Sequence, residues 1–318
     1  MNAQFSPSLV PPARKAIVPD DFAFVGPGHR KEPVPAALNR QKHGQTRDQR
    51  AFPTLSLLVL ALIALGCLCS DAFINHDPAE FYLSHLNEAP NAEFWFGTDS
   101  LGRDIFSIIW AGGRVSLFIG LTSAAWAACI GVVYGCISGT ASSAVDATMM
   151  RAVELLQSVP ILLTLLLILS LLGRQSPVSI ALVIGSTGWF ALARIVRGEI
   201  RQIRNSEYIL VSRHMGAPFL WIMHKHLIPN IISAIMFIVI SSVSTNMALE
   251  STLSFLGMGL PVDELSWGSM LALADRALLL NTWWVIVIPG FFLVVTLLCI
   301  TNIGHIFRRQ GSKIPSNL

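Results

Sequence analysis

Charge is what this sequence has least of. Only 13% of its 318 residues are Asp, Glu, Lys or Arg, against roughly 25% in a soluble domain. With 53% hydrophobic residues and a mean hydropathy of +0.60, too few polar side chains remain to cover a water-exposed globule. The chain therefore reads as an integral membrane protein. Its formal net charge of +3 excludes little, because the placement of charge matters more than its sum. There is no G-x-x-x-x-G-K-[ST] loop to cradle phosphates, no H-E-x-x-H and no Ser/His/Asp constellation, so neither nucleotide binding nor catalysis is expected of this chain. The five cysteines, Cys67, Cys69, Cys129, Cys136 and Cys299, all lie in apolar runs. None has zinc-site spacing, and Cys67 and Cys69 face different sides of a helix. They read as small buried hydrophobes rather than as disulfides or metal ligands. The histidines also lack a ligand spacing: His224 and His226 are not i,i+4 neighbours, and His76 and His85 lie far apart along one loop.

What is present is a series of apolar runs. Residues 1–50 are Pro-rich and basic with little apolar periodicity, and are expected to form a mostly disordered cytoplasmic tail. No apolar core or cleavage site marks them as a signal peptide. Six stretches then approach the ~20 residues that a membrane-crossing helix needs. They cover 53–73, 115–138, the run between Glu154 and Arg174 with its helix starting near Asp146, the run between Arg174 and Arg194, most of the run between His226 and Glu250, and 283–304. The expected organisation is a tail (1–50), a first transmembrane helix with an outer loop (51–112), the main transmembrane domain (113–310) and a cytoplasmic C-terminal tail (311–318). Basic residues set the orientation. With the N-terminus inside, the cytoplasmic side holds the basic tail, Arg151, Arg194, Arg197, Arg201, Arg204, Arg213, Lys225, Arg308, Arg309 and Lys313. Arg103, Arg114, Arg174 and Arg276 stay outside. The second span carries Ser123, Ala127, Gly131, Gly135 and Gly139 on one face, which allows close helix packing within a bundle or a dimer.

The loop from Glu207 to Asn230 joins the fourth and fifth spans. Its pattern is helix, Gly break, helix. Asn205 and Ser206 are candidate caps, Glu207 adds negative charge at a helix start, Gly216 can end that helix in a left-handed turn, and Pro218 suits the first turn of the next. Phe219, Leu220, Ile222 and Met223 give the second helix an apolar side before His224, Lys225 and His226. On pattern alone it is either a hairpin lying on lipid or a docking element for a soluble partner. A DNA-binding reading is set aside because both flanks are membrane spans. Glu250, close to Asn246, is the one carboxylate near the end of a span. It either caps the outer end of the fifth span and touches water, or lines a pathway or carries protons.

Within this loop Glu207, Tyr208, Gly216, Ala217, Ile222, Leu227, Pro229 and Asn230 resemble the cytoplasmic "EAA" loop of binding-protein-dependent ABC importer permeases, with Val211 and Ser212 in place of its two alanines. The string Phe96, Gly97, Thr98, Asp99, Ser100, Leu101, Gly102, Arg103, Asp104, continued by Arg114, Ser116, Leu117 and Gly120, resembles the dipeptide/oligopeptide/nickel subfamily, in particular its C-type subunit. From residues alone, Asp99, Arg103 and Asp104 beside Gly97 and Gly102 suggest an internally paired turn. Asp146, Arg151, Glu154 and Pro160 (with Glu where Asp is common), the segment Glu250–Gly257, Trp267–Gly268, and Trp283, Trp284 and Pro289 resemble the same subfamily, whereas Gly304–His305 replaces its usual Gly-Asp. The resemblance implies an all-α bundle of six spans with a coupling helix that docks on an ATPase, in the inner membrane of a bacterium with both termini cytoplasmic. It further implies two ATPase subunits carrying ATP and Mg, a homologous second permease, and a periplasmic or lipid-anchored binding protein, with no cofactor on this chain. Peptides, nickel, a metal chelate or opine, and glutathione are all compatible cargoes. An ion-driven secondary transporter and a membrane scaffold are the alternatives from other classes.

Overall fold

The computed structural model describes residues 51–204, 206, 209, 212, 214–218, 221, 225, 228–261 and 264–311; the side chains of 51–53, 228–230, 233, 234 and 308–311 are outside that description. All lie in the compact unit Arg47–Leu318. Among the described residues the regular structure is helical, and the single pairing of extended backbone is a bridge between Thr98 and Asp104. The helices are α1 (Ala51–Leu68), α2 (Ile105–Thr140), α3 (Ser143–Gln157), α4 (Ile161–Leu172), α5 (Pro177–Gly188), α6 (Phe190–Arg204), α7 (Ile228–Phe255), α8 (Trp267–Leu271), α9 (Ala274–Leu279) and α10 (Trp284–Gly311).

Three segments are long and apolar enough to cross a membrane, Ile105–Thr140, Ile235–Phe255 and Trp284–Phe307. The number rises to 5 if each of two bent pairs is one span. The apolar part of α1, Thr54–Leu68, is shorter. The all-helical membrane class thus stands, and the departures from six straight spans have local causes. The run expected as the third span breaks between α3 and α4 with an 80° bend. Pro160 lacks an N–H and disfavours helical geometry at the residue before it, so the ladder stops at Ser158–Pro160. The fourth run bends by 46° between α5 and α6 at Trp189. The first helix ends at Leu68 rather than near residue 73, followed by a 3-10 turn at Ser70–Ala72.

The helix of the second span starts at Ile105, ten residues or so before the expected 115. Asp104 caps it, accepting from Ser107 N at 3.1 Å and Phe106 N at 3.3 Å. Arg114 was expected to bound the span but lies inside the helix. Its guanidinium donates to the Cys67 and Leu68 carbonyls at 2.5 and 3.2 Å and pairs with Asp71 at 2.9 Å. It thereby satisfies the carbonyls that α1 leaves open at its end.

α2 is the central element and touches α1, α5, α6, α7, α8 and α10. Its small-residue face packs within the chain. A Cβ at Gly131 would sit 3.0 Å from Leu192 Cβ, one at Gly135 2.7 Å from the Ala193 carbonyl oxygen, and one at Gly139 2.8 Å from Ile200 Cγ2. Of the two expected uses of that face, the bundle is realised, because α6 occupies it. Leu57, Leu58, Leu62 and Leu65 on α1 and Leu163, Leu167 and Leu171 on α4 stay exposed. Such faces suit hydrocarbon rather than water.

Candidate functional site

The loop before α2 is built around buried charge. Asp99 Oδ1 accepts from Leu101 N at 2.8 Å and Arg103 N at 3.0 Å. Asp99 Oδ2 takes Arg103 Nε at 2.9 Å and Nη2 at 2.8 Å. Both side chains are 4% exposed, so the pair is desolvated and fixes the turn's geometry more than it adds stability. Gly97 and Gly102 both have φ of +76°. Thr98 ties the loop inward: its carbonyl accepts from Trp284 Nε1 at 3.1 Å and its hydroxyl accepts from Glu88 N at 2.9 Å. Phe96 packs edge-on against Phe106. In the same loop, burial and the Glu80 carboxylate, which accepts the Tyr82 hydroxyl, push the Tyr82 phenol up to about 12. The motif Phe96–Asp104 is therefore a staple that closes the loop onto the starts of α2 and α10. Arg103 also lines a cavity of about 600 Å³ with Arg174, Gln175, Ser254 and the turn at Gly257–Pro261.

Of the readings open for Glu250, a cap or staple touching water at the end of its span or a residue of a pathway, the contact with water is not found: it is 0% exposed. Ser266 Oγ donates to its Oε1 at 2.8 Å, Ser254 Oγ to the same oxygen at 2.9 Å, and Ser251 Oγ lies 3.4 Å from Oε2. α8 folds across it: Ser266 is the α8 N-cap, and a Cβ at Gly268 would meet Oε1 at 2.7 Å. Trp267 then anchors α8 to α2, its N–H donating to Ser116 Oγ at 3.0 Å and its ring Nε1 to the Ile109 carbonyl at 2.8 Å. Glu250 does staple α7, but to α8 and away from water. Asn246 is 4% exposed and its side-chain amide bonds Ser123 Oγ at 2.9 Å, joining α7 to α2 rather than extending a polar track from Glu250.

The segment between α6 and α7 is described in part. Gly216 has φ of +82° and Ala217 N donates to the Ser212 carbonyl at 3.1 Å, the six-to-one bond of a helix ended by a left-handed glycine. Trp221 N donates to the Pro218 carbonyl at 3.0 Å, so a new turn begins there. Ser206 contributes its carbonyl to Ile209 N at 3.1 Å, while its hydroxyl donates back to the Ile203 carbonyl at 2.6 Å instead of capping forward. Ile209 (1% exposed) and Ala217 pack with Leu192, Val196 and Ile200 of α6 and Ile231 and Ile235 of α7. Met215 and Trp221 remain exposed. Glu207, Tyr208, Val211, Ile222 and Leu227 lie outside the described residues, and Pro229 and Asn230 are described only as backbone in the first turn of α7.

One cluster escaped sequence reading. Asp146 in α3 is 3% exposed and is held by Arg197 and Arg201 of α6 and Ser138 of α2. The two arginines stand four apart, a spacing that puts them on one helix face. Only the packing of α3 on α6 reveals what they face.

An apolar helical bundle whose buried polar side chains staple its helices to one another has the character of an integral membrane protein. Residues 131–310 match the family described as binding-protein-dependent transport system inner membrane component. The likeness to curated proteins runs further. The dipeptide transport system permease protein DppC of Bacillus subtilis (strain 168) is 37% identical over 269 residues, covering 84% of this chain and 82% of that protein. The oligopeptide transport system permease protein OppC of the same organism is 36% identical over 250 residues, covering 79% of this chain and 80% of that one. OppC of Escherichia coli (strain K12) is 34% identical over 251 residues, covering 78% and 82%. The chain belongs to the binding-protein-dependent transport system inner membrane component family.

Proposed function

We propose that this chain is a permease subunit of an ATP-driven importer and forms half of the path by which di- or oligopeptides cross the bacterial inner membrane. The observation that carries this reading is the likeness to dipeptide and oligopeptide permeases over most of both chains. The left-handed turn at Gly216 supports it, because it ends one helix and starts another at the position where the family's coupling loop resembles this sequence. The chain crosses the membrane six times, each bent pair and α1 counting as one span, with both termini cytoplasmic. The segment Glu207–Asn230 docks on an ATPase through Glu207, Tyr208, Val211, Ser212, Gly216, Ala217, Ile222, Pro229 and Asn230. Two ATPase subunits hold ATP and Mg, a homologous permease completes the path, and a periplasmic or lipid-anchored binding protein delivers cargo. This chain carries no cofactor of its own.

Phe96, Gly97, Thr98, Asp99, Gly102, Arg103 and Asp104 hold the outer end of the path in shape, and Asn246 and Glu250 hold the helices behind it. Glu250 is surrounded by hydroxyls that can turn to accept as well as donate. Glu250→Gln is therefore expected to assemble and to transport with the wild-type pH profile. A profile flattened by that substitution, measured as uptake between pH 5.5 and about 8, would return Glu250 to a proton-carrying role and favour the secondary transporter.

The decisive experiment is detergent co-purification of the tagged chain from its native membrane, with every partner identified by mass. Two P-loop ATPases and a second multi-pass permease are expected. A chain recovered alone that moves solute in vesicles without ATP would discard the importer.

A further inference from the structure

We infer that Asp146, Arg197 and Arg201 are positioning residues for energy coupling: they make α3 travel with α6, so that displacement of the segment after α6 is delivered to the break at Pro160. The inference rests on the importer reading above. Asp146 uses every face of its carboxylate. Oδ1 accepts from Arg197 Nε at 2.5 Å and from Ser138 Oγ at 2.5 Å. Oδ2 accepts from Arg197 Nη2 at 2.5 Å and from Arg201 Nη2 at 2.6 Å. A guanidinium fork on a buried carboxylate resists both sliding and rotation, which a single contact does not.

The fork ties α3 to a body that is already rigid. The glycine face of α2 lets α6 approach until Leu192, Val196 and Ile200 lie against Gly131, Gly135 and Gly139. One turn beyond Arg201, Arg204 Nη1 donates to the Thr140 carbonyl at 3.1 Å and the Gly139 carbonyl at 3.4 Å, closing the end of α2. α6 also carries the segment beyond it, because Ile209 and Ala217 pack on the same apolar cluster. Apart from the ionic cluster, α3 is held by Val153 packed near Trp189 and by Tyr134 Oη donating to the Met149 carbonyl at 2.8 Å. These contacts lie further along α3, so its first turn depends on Asp146.

At the other end of α3 the chain turns through 80°, and α5 meets α6 at 46°. A cavity of about 670 Å³ lies between the two breaks, lined by Gln157, Pro160 and Thr164 on one side and Thr187, Trp189 and Phe190 on the other. α2, α3, α6, Ile209 and Ala217 thus form one block; α5 also packs on α2, where a Cβ at Gly185 would lie 2.7 Å from the Ser123 carbonyl oxygen, so α4 is the element beyond the break at Pro160. Moving that block relative to α4 changes the cavity through the break at Pro160, where the helical ladder is already interrupted.

The test uses the complete reconstituted complex in vesicles, with a protease-digest peptide mixture as cargo, internal peptide read by mass spectrometry and ATP hydrolysis read in parallel. Asp146→Asn and Arg197→Gln are each expected to lower peptide moved per ATP hydrolysed about fivefold or more. The double variant is expected to fall no further, since the two residues act as one unit. If these side chains serve folding alone, yield and thermal midpoint will drop while the ratio stays at the wild-type value, and that result overturns the inference. Should Asp146→Asn fail to assemble, Arg201→Gln removes only the 40%-exposed arm; a lowered ratio supports the inference and an unchanged one overturns it. Wild-type vesicles that accumulate peptide without ATP would instead overturn the importer reading, an outcome visible before any variant is made.

Discussion

Replacing Gly102 by valine is expected to prevent recovery of a stable chain from the membrane, with the thermal midpoint in detergent lowered by more than about 10 °C or no folded fraction at all. Two independent costs act at this position. Its φ of +76° is one that a β-branched residue adopts at a cost of about 1–2 kcal/mol. A side chain there would also run into backbone, since the Tyr82 carbonyl carbon lies 2.8 Å from the Cβ position. Neither segment can retreat freely. Tyr82 N donates to the Gly102 carbonyl at 3.1 Å and Gly102 N donates to the Asp99 carbonyl at 3.0 Å. Forcing the two segments apart would strain the buried Asp99–Arg103 pair and the Asp104 cap of α2 together. Breaking a buried ion pair costs about 3–5 kcal/mol by itself, a large part of an ordinary net stability of 5–15 kcal/mol. Size-exclusion of the detergent extract after graded heating measures the effect. A Gly102→Val chain with a wild-type midpoint would mean that the loop does not hold α2 and α10 together.

How far the sequence could be read depended on how far apart the partners lie. The turn Phe96–Asp104 was legible because Asp99 and Arg103 are four residues apart, and its chemistry is complete within the motif. Gly216 was legible for the same reason: a glycine between two helical patterns needs only its own backbone to end one of them. The apolar runs were visible, but their breaks were not, because Pro160 stands between two apolar stretches and the angle of its bend is set by packing. Arg114 was taken as a boundary because its partners are the carbonyls of Cys67 and Leu68, 47 and 46 residues earlier. Asp146 was noted only for its place before Pro160, since Arg197 lies 51 residues further on. Glu250 was left between a water-touching cap and a pathway residue because Ser266, which covers it, belongs to the loop after its helix. Local rules carry local chemistry, and each missed feature is a contact that exists only once helices have packed.

A graded series at Gly216 would separate backbone geometry from side-chain bulk in a way that few positions allow. Among the described residues nothing lies within 4 Å of the Cβ position there, so the effect expected of a substitution falls mainly on the backbone. Asparagine tolerates left-handed geometry and is expected to keep transport within about twofold of wild type. Alanine strains the turn by about 1 kcal/mol and is expected to lower transport several-fold. Proline cannot reach a φ of +82°, because its ring holds φ near −65°. Gly216→Pro therefore redirects the chain after Met215 and moves Ala217 away from the apolar cluster on α6. Transport and substrate-stimulated ATP hydrolysis are expected to fall together by about tenfold or more, equivalent to roughly 1.4 kcal/mol of lost coupling. The protein should stay in the membrane in normal amount, because the loss is confined to the edge of that cluster and the packing of α6 on α2 is left in place. Ranking the three variants by uptake in vesicles, with chain abundance measured by blotting, reads the outcome directly. The order asparagine, alanine, proline would tie coupling to the left-handed turn. Equal losses in all three would instead show that the glycine is needed for close approach of a docked partner, where any side chain would clash.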